Sequence, residues 1–443
     1  MAILSFKGGV HPFDGKALSK SKPIEDYTPK GEIVIPLSQH IGAMASPIVK
    51  AGDRVLVNQK IGEAAGFVSA NIHSSVSGKV KKIEPRLVAG GEKISSVIIE
   101  NDNLYEECPV TDFRKPEDMT PEEKLELIKE AGIVGMGGAG FPSHVKLSPK
   151  NKEDIEYIIV NGAECEPYLT SDYRRMIEQP EHLVEGLRLV LSMFNKAKGI
   201  IAIEDNKTDA ARRIKDLLKN ETDIEVKVVY TKYPQGGERA LIYAVTGRKV
   251  NSTMLPADVN CIVHNVDTIF AIRRAIVEKK PLTDRIVTVT GDAVGSPKNF
   301  RVRIGTNMSE LIDAAGGFKK KPEKIISGGP MMGIAVYDLN IPVSKGSSAL
   351  LCFTKDQVRA NEPGNCINCG RCVSVCPGRI VPSRLAMLAE QGDKEAFEKN
   401  FGMECCECGC CSYICPAKRN LTQAIKSMRK DILADRRKKA GNK

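Results

Sequence analysis

Ten of the fourteen cysteines crowd into the stretch from Cys366 to Cys415 of this 443-residue chain. The first run is Cys366, Cys369, Cys372 and Cys376, spaced three, three and four apart and followed by Pro377. The second run holds six cysteines, of which Cys405, Cys408, Cys411 and Cys415 repeat that spacing, with Pro416 behind them. Cys406 and Cys410 fall out of register and read as bystanders. The N-terminus lacks the basic flank and apolar core of a signal peptide, so metal binding in a reducing compartment is a better reading than disulfides. No run of eighteen apolar residues is present, so no spanning helix is expected and the protein reads as cytoplasmic.

The doubled pattern C-x2-C-x2-C-x3-C-P is that of bacterial two-cluster ferredoxins, where the fourth cysteine of each run ligates the other cluster. It assigns Cys366, Cys369, Cys372 and Cys415 to one [4Fe–4S] cluster. Cys405, Cys408, Cys411 and Cys376 are assigned to a second. A zinc site would call for two cysteine pairs, not two triplets each with a fourth. Cys108, Cys165, Cys261 and Cys352 lack this spacing. They read as small buried residues, Cys165 excepted because it lies in a motif described below.

The length implies two to four domains, and an apolar content of 42% is enough for real cores. Residues 1–110 form the first expected domain. Between 31 and 100, short apolar runs separated by Gly, Asn and Ser read as strands. A weak pseudo-repeat over 47–55 and 73–83 resembles the barrel-sandwich hybrid of biotinyl and lipoyl domains. Those domains carry a modifiable lysine at a hairpin tip; the corresponding residues 66–71 hold none, so the module reads as structural.

A proline-bearing linker follows, then a helix with Thr120 as N-cap, Pro121 in the first turn and Glu123 completing a capping box. Strands at 157–160, 199–203, 226–230 and 261–263 alternate with helices near 181–195, 208–219, 237–246 and 267–279. This makes 118–284 an α/β domain. Short strands around one helix make up 285–345. Helical segments interrupted by the cysteine runs make up 355–443.

Gly135, Gly137, Gly138 and Gly140 form a glycine loop that formally matches G-x-G-x-x-G. A dinucleotide fingerprint needs a strand before the loop and a helix after it. Here a helix precedes, and no helix is expected to continue from Phe141, so the ordinary Rossmann reading fails on context. The loop still exposes backbone N–H groups to a flat ring or a phosphate. Three neighbours share its character. Asn161, Glu164 and Glu166 follow one strand, Gly236, Gly237 and Glu238 open a helix, and His264, Asn265 and Thr268 follow another strand.

These four motifs resemble the FMN- and NADH-binding motifs of the flavoprotein subunit of respiratory complex I. With the N-terminal module and the cysteine runs, the chain over about residues 1–430 resembles the RnfC family of the Rnf electron-transport complex. The resemblance implies non-covalent FMN held by Gly135, Gly137, Gly138, Lys146, Asn161, Glu164, Gly236, Gly237, Asn265 and Thr268. It places Glu166 and Glu238 beside the nicotinamide of NAD(H), and makes 285–345 a β-grasp SLBB domain. Met136, Ala163, Cys165 and His264 stand where the complex I pattern has Arg, Asp, Ser and Asn. The other histidines are scattered and form no triad or metal pair; His144 or His264 could at most line the site. Met331, after Gly328, Gly329 and Pro330, reads as part of a packed turn.

A hydride donor gives two electrons at once and a cluster takes one, so a flavin belongs between them. The resemblance implies the NADH-reactive subunit of a membrane-bound, ion-translocating ferredoxin:NAD+ oxidoreductase. Such a subunit is peripheral on the cytoplasmic face and meets ferredoxin through partner subunits. Two alternatives stay open: a soluble cobalamin reductase of the same fold, with its barrel module after the clusters, and an electron relay without bound nucleotide. The net charge of +10 is concentrated after Lys426. A basic tail suits a partner, an anionic membrane face or a solvated helix end. No aromatic-interleaved basic patch points to nucleic acid.

Overall fold

The computed structural model describes residues 4–355 and 362–441. The expected strands and helices of the α/β region are present, and their order positions everything else. Strands Ile224–Val229, Lys198–Glu204, Tyr157–Gly162 and Cys261–Asn265 lie side by side in that order, all parallel. Alternate residues of a strand face opposite sides. Ile158 and Val160 therefore pack under the helices Pro180–Leu191 and Val266–Arg273. Ile159 packs with Leu241 and Ile242 of helix Glu238–Thr246 on the other face. The chain leaves strand Tyr157–Gly162 in one direction and returns on its other side as Cys261–Asn265. The crevice between these two strands is the topological switch point, where open α/β sheets bind ligands.

The helix Pro121–Glu130 carries the expected capping box, with Thr120 Oγ1 accepting from the Glu123 N–H and Glu123 accepting from the Thr120 N–H. Such a cap contributes about 1 kcal/mol. One difference concerns the glycine loop. A single helical turn, Ser143–Lys146, does follow it. It is far shorter than a Rossmann helix, because Gly135 N–H donates to Phe141 O at 2.9 Å and closes the loop before the turn starts.

In the N-terminal region, strands Ile33–Pro36, Lys93–Asn101, Gly78–Leu87 and Arg54–Val55 face a smaller sheet of Ser46–Pro47, Lys60–Glu63 and Ile72–His73. Ile33, Ile35, Leu37, Val55, Ile61, Ile72, Val80, Val97 and Ile99 fill the space between. The first residues serve other layers. Leu4 bridges Val229, Val10 bridges Tyr233, and Ile24–Tyr27 pairs with Lys298–Arg303.

The third sheet runs Ile24–Tyr27, Lys298–Arg303, Asp284–Thr290, Ala349–Phe353, Lys324–Ser327 and Ile334–Val336, with helix Met308–Ala314 on its core. It thus extends past the limit of 345 expected from sequence. Strand Ala349–Phe353 lies in its middle, antiparallel to Lys324–Ser327 and parallel to Asp284–Thr290, the latter a pairing across about sixty residues.

Helices Pro382–Glu390, Lys394–Lys399 and Leu421–Gly441 pack Leu385, Phe397, Leu421, Ile425, Met428 and Ile432 around the cysteine runs. Part of the basic C-terminal charge is matched there: Arg429 pairs with Glu407 and Arg436 with Glu398. No helix among the described residues is long and apolar enough to cross a membrane.

Lys345 joins three of these units. It is fully buried, and its Nζ donates to Asn71 O at 2.6 Å in the barrel and to Gly132 O at 2.7 Å ahead of the glycine loop. Burial pulls its ammonium down to about 7.

Candidate flavin crevice and paired cysteine runs

Asn161 and Asn265 end the two strands that flank the switch point and stand opposite each other in register. Asn161 Nδ2 donates to Gly236 O at 2.8 Å, tying the first strand end to the third motif. Asn265 caps the helix Val266–Arg273, its Oδ1 accepting from the Asp267 N–H. The glycine loop is fastened over this helix, with Met136 N–H donating to Thr268 Oγ1 at 3.0 Å. Gly137, Gly138 and Ala139 face solvent. Lys146 bonds Glu238 at 3.0 Å and Val263 O at 3.1 Å. The structure therefore gathers Gly135, Gly137, Gly138, Lys146, Asn161, Gly236, Gly237, Glu238, Asn265 and Thr268 around one crevice.

Glu164 lies just beneath, accepting from the Asp172 N–H at 2.8 Å. Buried lysines hold its loop from behind: Lys16 Nζ donates to the carbonyls of Glu164, Glu166 and Leu169, and Lys207 Nζ to that of Ala163. Glu166, which the resemblance sets beside the nicotinamide, has its carboxylate engaged by a neighbouring turn. Its carboxylate accepts from the N–H groups of Met331 and Met332 at 3.1 and 3.0 Å. The turn from Gly328 to Gly333 is thus packed as expected, and it is packed on Glu166. Burial pushes the Glu166 carboxyl up to about 7.

Several residues of the site went unread in the sequence. Asp172 accepts from Asn265 Nδ2 at 2.7 Å, and Asp267 binds both Arg175 (2.9 Å) and Arg285. Arg285 also donates to Met136 O at 3.4 Å, so the third sheet grips the glycine loop. Breaking a buried pair of this kind costs about 3–5 kcal/mol. These residues carry no local motif: Asp172 and Asn265 lie 93 positions apart, Arg175 and Asp267 92, and Asp267 and Arg285 18.

Asp172 has a measurable consequence. Burial, then the neighbouring charges of Glu164 and Asp267, push its carboxyl from 3.8 up to about 7. The folded protein then holds a proton that the unfolded chain releases. The stability this confers is complete below the ordinary carboxylate range and is lost as pH rises through about 7. Asp172→Asn keeps an acceptor for Asn265 and removes the titration. The difference in Tm, variant minus wild type, is expected to grow from about pH 4 to about pH 7 and then level off. A difference independent of pH contradicts the assignment.

The crevice offers open backbone and unpartnered polar groups to a ligand. Nothing lies within 4 Å of a Cβ built on Gly138. Ser143 Oγ, both polar atoms of Gln235 and both ring nitrogens of His264 are buried without a hydrogen-bond partner. These residues adjoin the loop, Gly236 and Asn265 respectively. Burial pulls the His264 imidazole down to about 3, so it stays neutral.

The two cysteine runs share one backbone. Asn368, Gly370 and Arg379 have positive φ, and so do Glu407, Gly409 and Lys418, at the offset that relates Cys366 to Cys405. Each glycine precedes a one-turn helix, Arg371–Ser374 or Cys410–Ile414. In this alignment Cys406 and Cys410 match Ile367 and Arg371, which bear no thiol. The runs are also interleaved. Cys376 lines a small cavity with Cys405, Cys408 and Cys411, and Cys406 and Cys410 border it too. Cys372 and Cys415 share the helical core, and Gly364 N–H donates to Ala417 O at 2.8 Å, bringing the first run's start to the second run's end. Cys366 and Cys369 are exposed.

Among the described residues no three His, Cys, Asp or Glu side chains converge on a single-ion site. A [4Fe–4S] cube spreads its thiolates over four irons, one each. Burial pushes the Cys405 thiol up to about 12, so a thiolate there needs a bound cation to offset desolvation. The cysteine domain is docked on the crevice's own loops. Cys408 and Cys410 pack with Tyr233, Cys165 and Met331, and Glu404 binds Arg239 and Ser252.

Comparison with known proteins agrees with this layout. Residues 4–104 match the RnfC barrel sandwich hybrid domain, 128–274 the Nuo51 FMN-binding domain and 286–335 the SLBB domain. The chain is 45% identical to the C-subunit of the Na(+)-translocating ferredoxin:NAD(+) oxidoreductase complex of Acetobacterium woodii, over 98% of each chain. It is 46% identical to the proton-translocating counterpart of Clostridium ljungdahlii, over 97% of this chain and 94% of that one. The C-subunit of the ion-translocating oxidoreductase complex of Rhodobacter capsulatus is 39% identical over 89% of this chain and 77% of that one. A chain of an air-oxidized NAD+-reducing [NiFe]-hydrogenase aligns at 20% identity over 64% of this chain and 54% of that one. The TM-score of that alignment is 0.48. Near-end-to-end identity at this level, with the three domains in this order, makes the chain a member of the RnfC family, the C-subunits of ion-translocating oxidoreductase complexes.

Proposed function

We propose that this protein is the NAD(H)-reactive electron-transfer subunit of a membrane-bound, ion-translocating ferredoxin:NAD+ oxidoreductase. The observation that carries the reading is the docking of the cysteine domain, through Cys408 and Cys410, on Tyr233 and Cys165 of the crevice loops. A site for a two-electron donor and a site for one-electron carriers then share a wall.

FMN, when bound in the crevice, would accept a hydride and release electrons singly. Gly135, Gly137 and Gly138 would admit its ring, and Lys146, Asn161, Glu164, Gly236, Gly237, Asn265 and Thr268 would orient it. Glu238, joined to Lys146, would face the nicotinamide. Glu166, fixed by the turn at Met331, would set the spacing between crevice and cysteine domain. Cys376, Cys405, Cys408 and Cys411 would hold the [4Fe–4S] cluster nearer the crevice. Cys366, Cys369, Cys372 and Cys415 would hold the outer one, where the exposed Cys366 and Cys369 suit exchange with a partner subunit. Ferredoxin would be reached through such partners. The basic C-terminal helix suits docking to them at the cytoplasmic face of the membrane.

The test is an anaerobic titration of reconstituted protein with NADH, followed by visible absorbance. Bleaching of the flavin band and of the broad cluster absorbance is expected. No change in a protein with FMN demonstrably bound would overturn the reading and favour a relay with another donor.

A further inference from the structure

The barrel tip that lacks a modifiable lysine carries Phe67 instead. The structure lays this tip against the glycine loop. Phe67 O is bonded to His144 Nε2 at 3.1 Å, and the two rings meet edge-on with centroids 6.2 Å apart. His144 belongs to the single turn that ends in Lys146. A second barrel loop closes the same side: Ile41 N–H donates to Gly140 O at 3.2 Å, and Ala43 N–H to Val68 O at 3.0 Å.

The tip is held in place. Ser69 Oγ donates to Ala43 O, Ala65 N–H to Ser69 Oγ, and Ala70 N–H to His40 Nε2. Yet Phe67 is 68% exposed, Ile41 47% and Met44 46%. A fixed backbone presenting an aromatic ring and two aliphatic side chains to water, bonded to a nucleotide-type loop, is a preformed stacking surface. A dinucleotide has a flat ring at each end and a pyrophosphate between. With its nicotinamide end at the crevice, the apolar tip beside the loop suits its second ring.

We propose that Phe67, flanked by Ile41 and Met44, forms the wall that binds the adenine ring of NAD(H). The barrel-sandwich domain thereby contributes to dinucleotide recognition. This rests on the NAD(H) reading above.

The test uses the full chain reconstituted with FMN. Binding of ADP-ribose is measured by calorimetry, and the affinities for NADH and for reduced nicotinamide mononucleotide from flavin reduction. In Phe67→Ala, ADP-ribose and NADH are expected to bind about five- to a hundredfold more weakly, the range that stacking of a base on an aromatic side chain supports. Reduced nicotinamide mononucleotide, which lacks adenine, is expected to lose less than about twofold, and Phe67→Trp to restore ADP-ribose binding. Unchanged ADP-ribose affinity in Phe67→Ala overturns the inference while leaving the NAD(H) reading intact. Equal weakening of both nicotinamide donors also overturns it, since that marks a structural role. If the wild type binds neither NADH nor ADP-ribose, the NAD(H) reading falls and this inference with it.

Discussion

Gly137→Val is expected to empty the crevice of flavin while leaving the iron–sulfur absorbance in place. The geometry is direct. A Cβ on Gly137 would lie 2.9 Å from Asn265 Cβ, 3.0 Å from its Nδ2 and 3.1 Å from its Cγ. Asn265 cannot yield freely, because it caps the following helix and donates to Asp172. The loop cannot lift freely either, with Met136 N–H bound to Thr268 and Gly135 N–H to Phe141 O. Overpacking of this kind costs about 1–3 kcal/mol, which, if FMN binding has to bear it, corresponds to binding about five- to 150-fold weaker. The measurement is FMN released per protein after reconstitution and desalting, alongside iron content. Wild-type FMN in a folded Gly137→Val protein would remove the loop from the site.

Cys369→Ala is expected to lose about half of the iron and one of two paramagnetic signals, and to keep NADH-dependent flavin reduction. Cys369 lies on the outer side of the cysteine domain, exposed, while the Tyr233 contact is made by Cys408 and Cys410. Cys406→Ala is the matched control and should keep all the iron, since its counterpart in the other run is Ile367. Loss of both cluster signals together with flavin reduction, in a soluble folded Cys369→Ala protein, would contradict the division into two clusters and one crevice.

Much of this was readable because it is written at short range. The doubled cysteine spacing reappears as a doubled backbone, left-handed residues included. The α/β alternation is a matter of hydrophobic period, and the Thr120 cap is four residues of local chemistry. The strand-end motifs were visible as residue types, and they do end neighbouring strands.

Other features have no local signature. Asp172, Asp267, Arg175 and Arg285 form a buried network whose members come from helices and a strand far apart in the chain. Each alone is an ordinary charged residue, and only burial together makes it costly to break. Glu166 keeps its motif position, but a turn of the third sheet captures its carboxylate. Phe67 is one aromatic among twelve phenylalanines until the barrel tip meets His144.

By itself, then, the sequence determined the doubled cysteine spacing, the domain order and the residue types of the crevice, because each depends on neighbours a few positions apart. Tertiary structure alone decided that Asn161 faces Asn265, that Ala349–Phe353 lies central in its sheet, and that the cysteine domain leans on Tyr233. Those contacts join segments separated by tens to hundreds of residues, and they are settled by which apolar faces and buried polar groups satisfy one another when the whole chain packs.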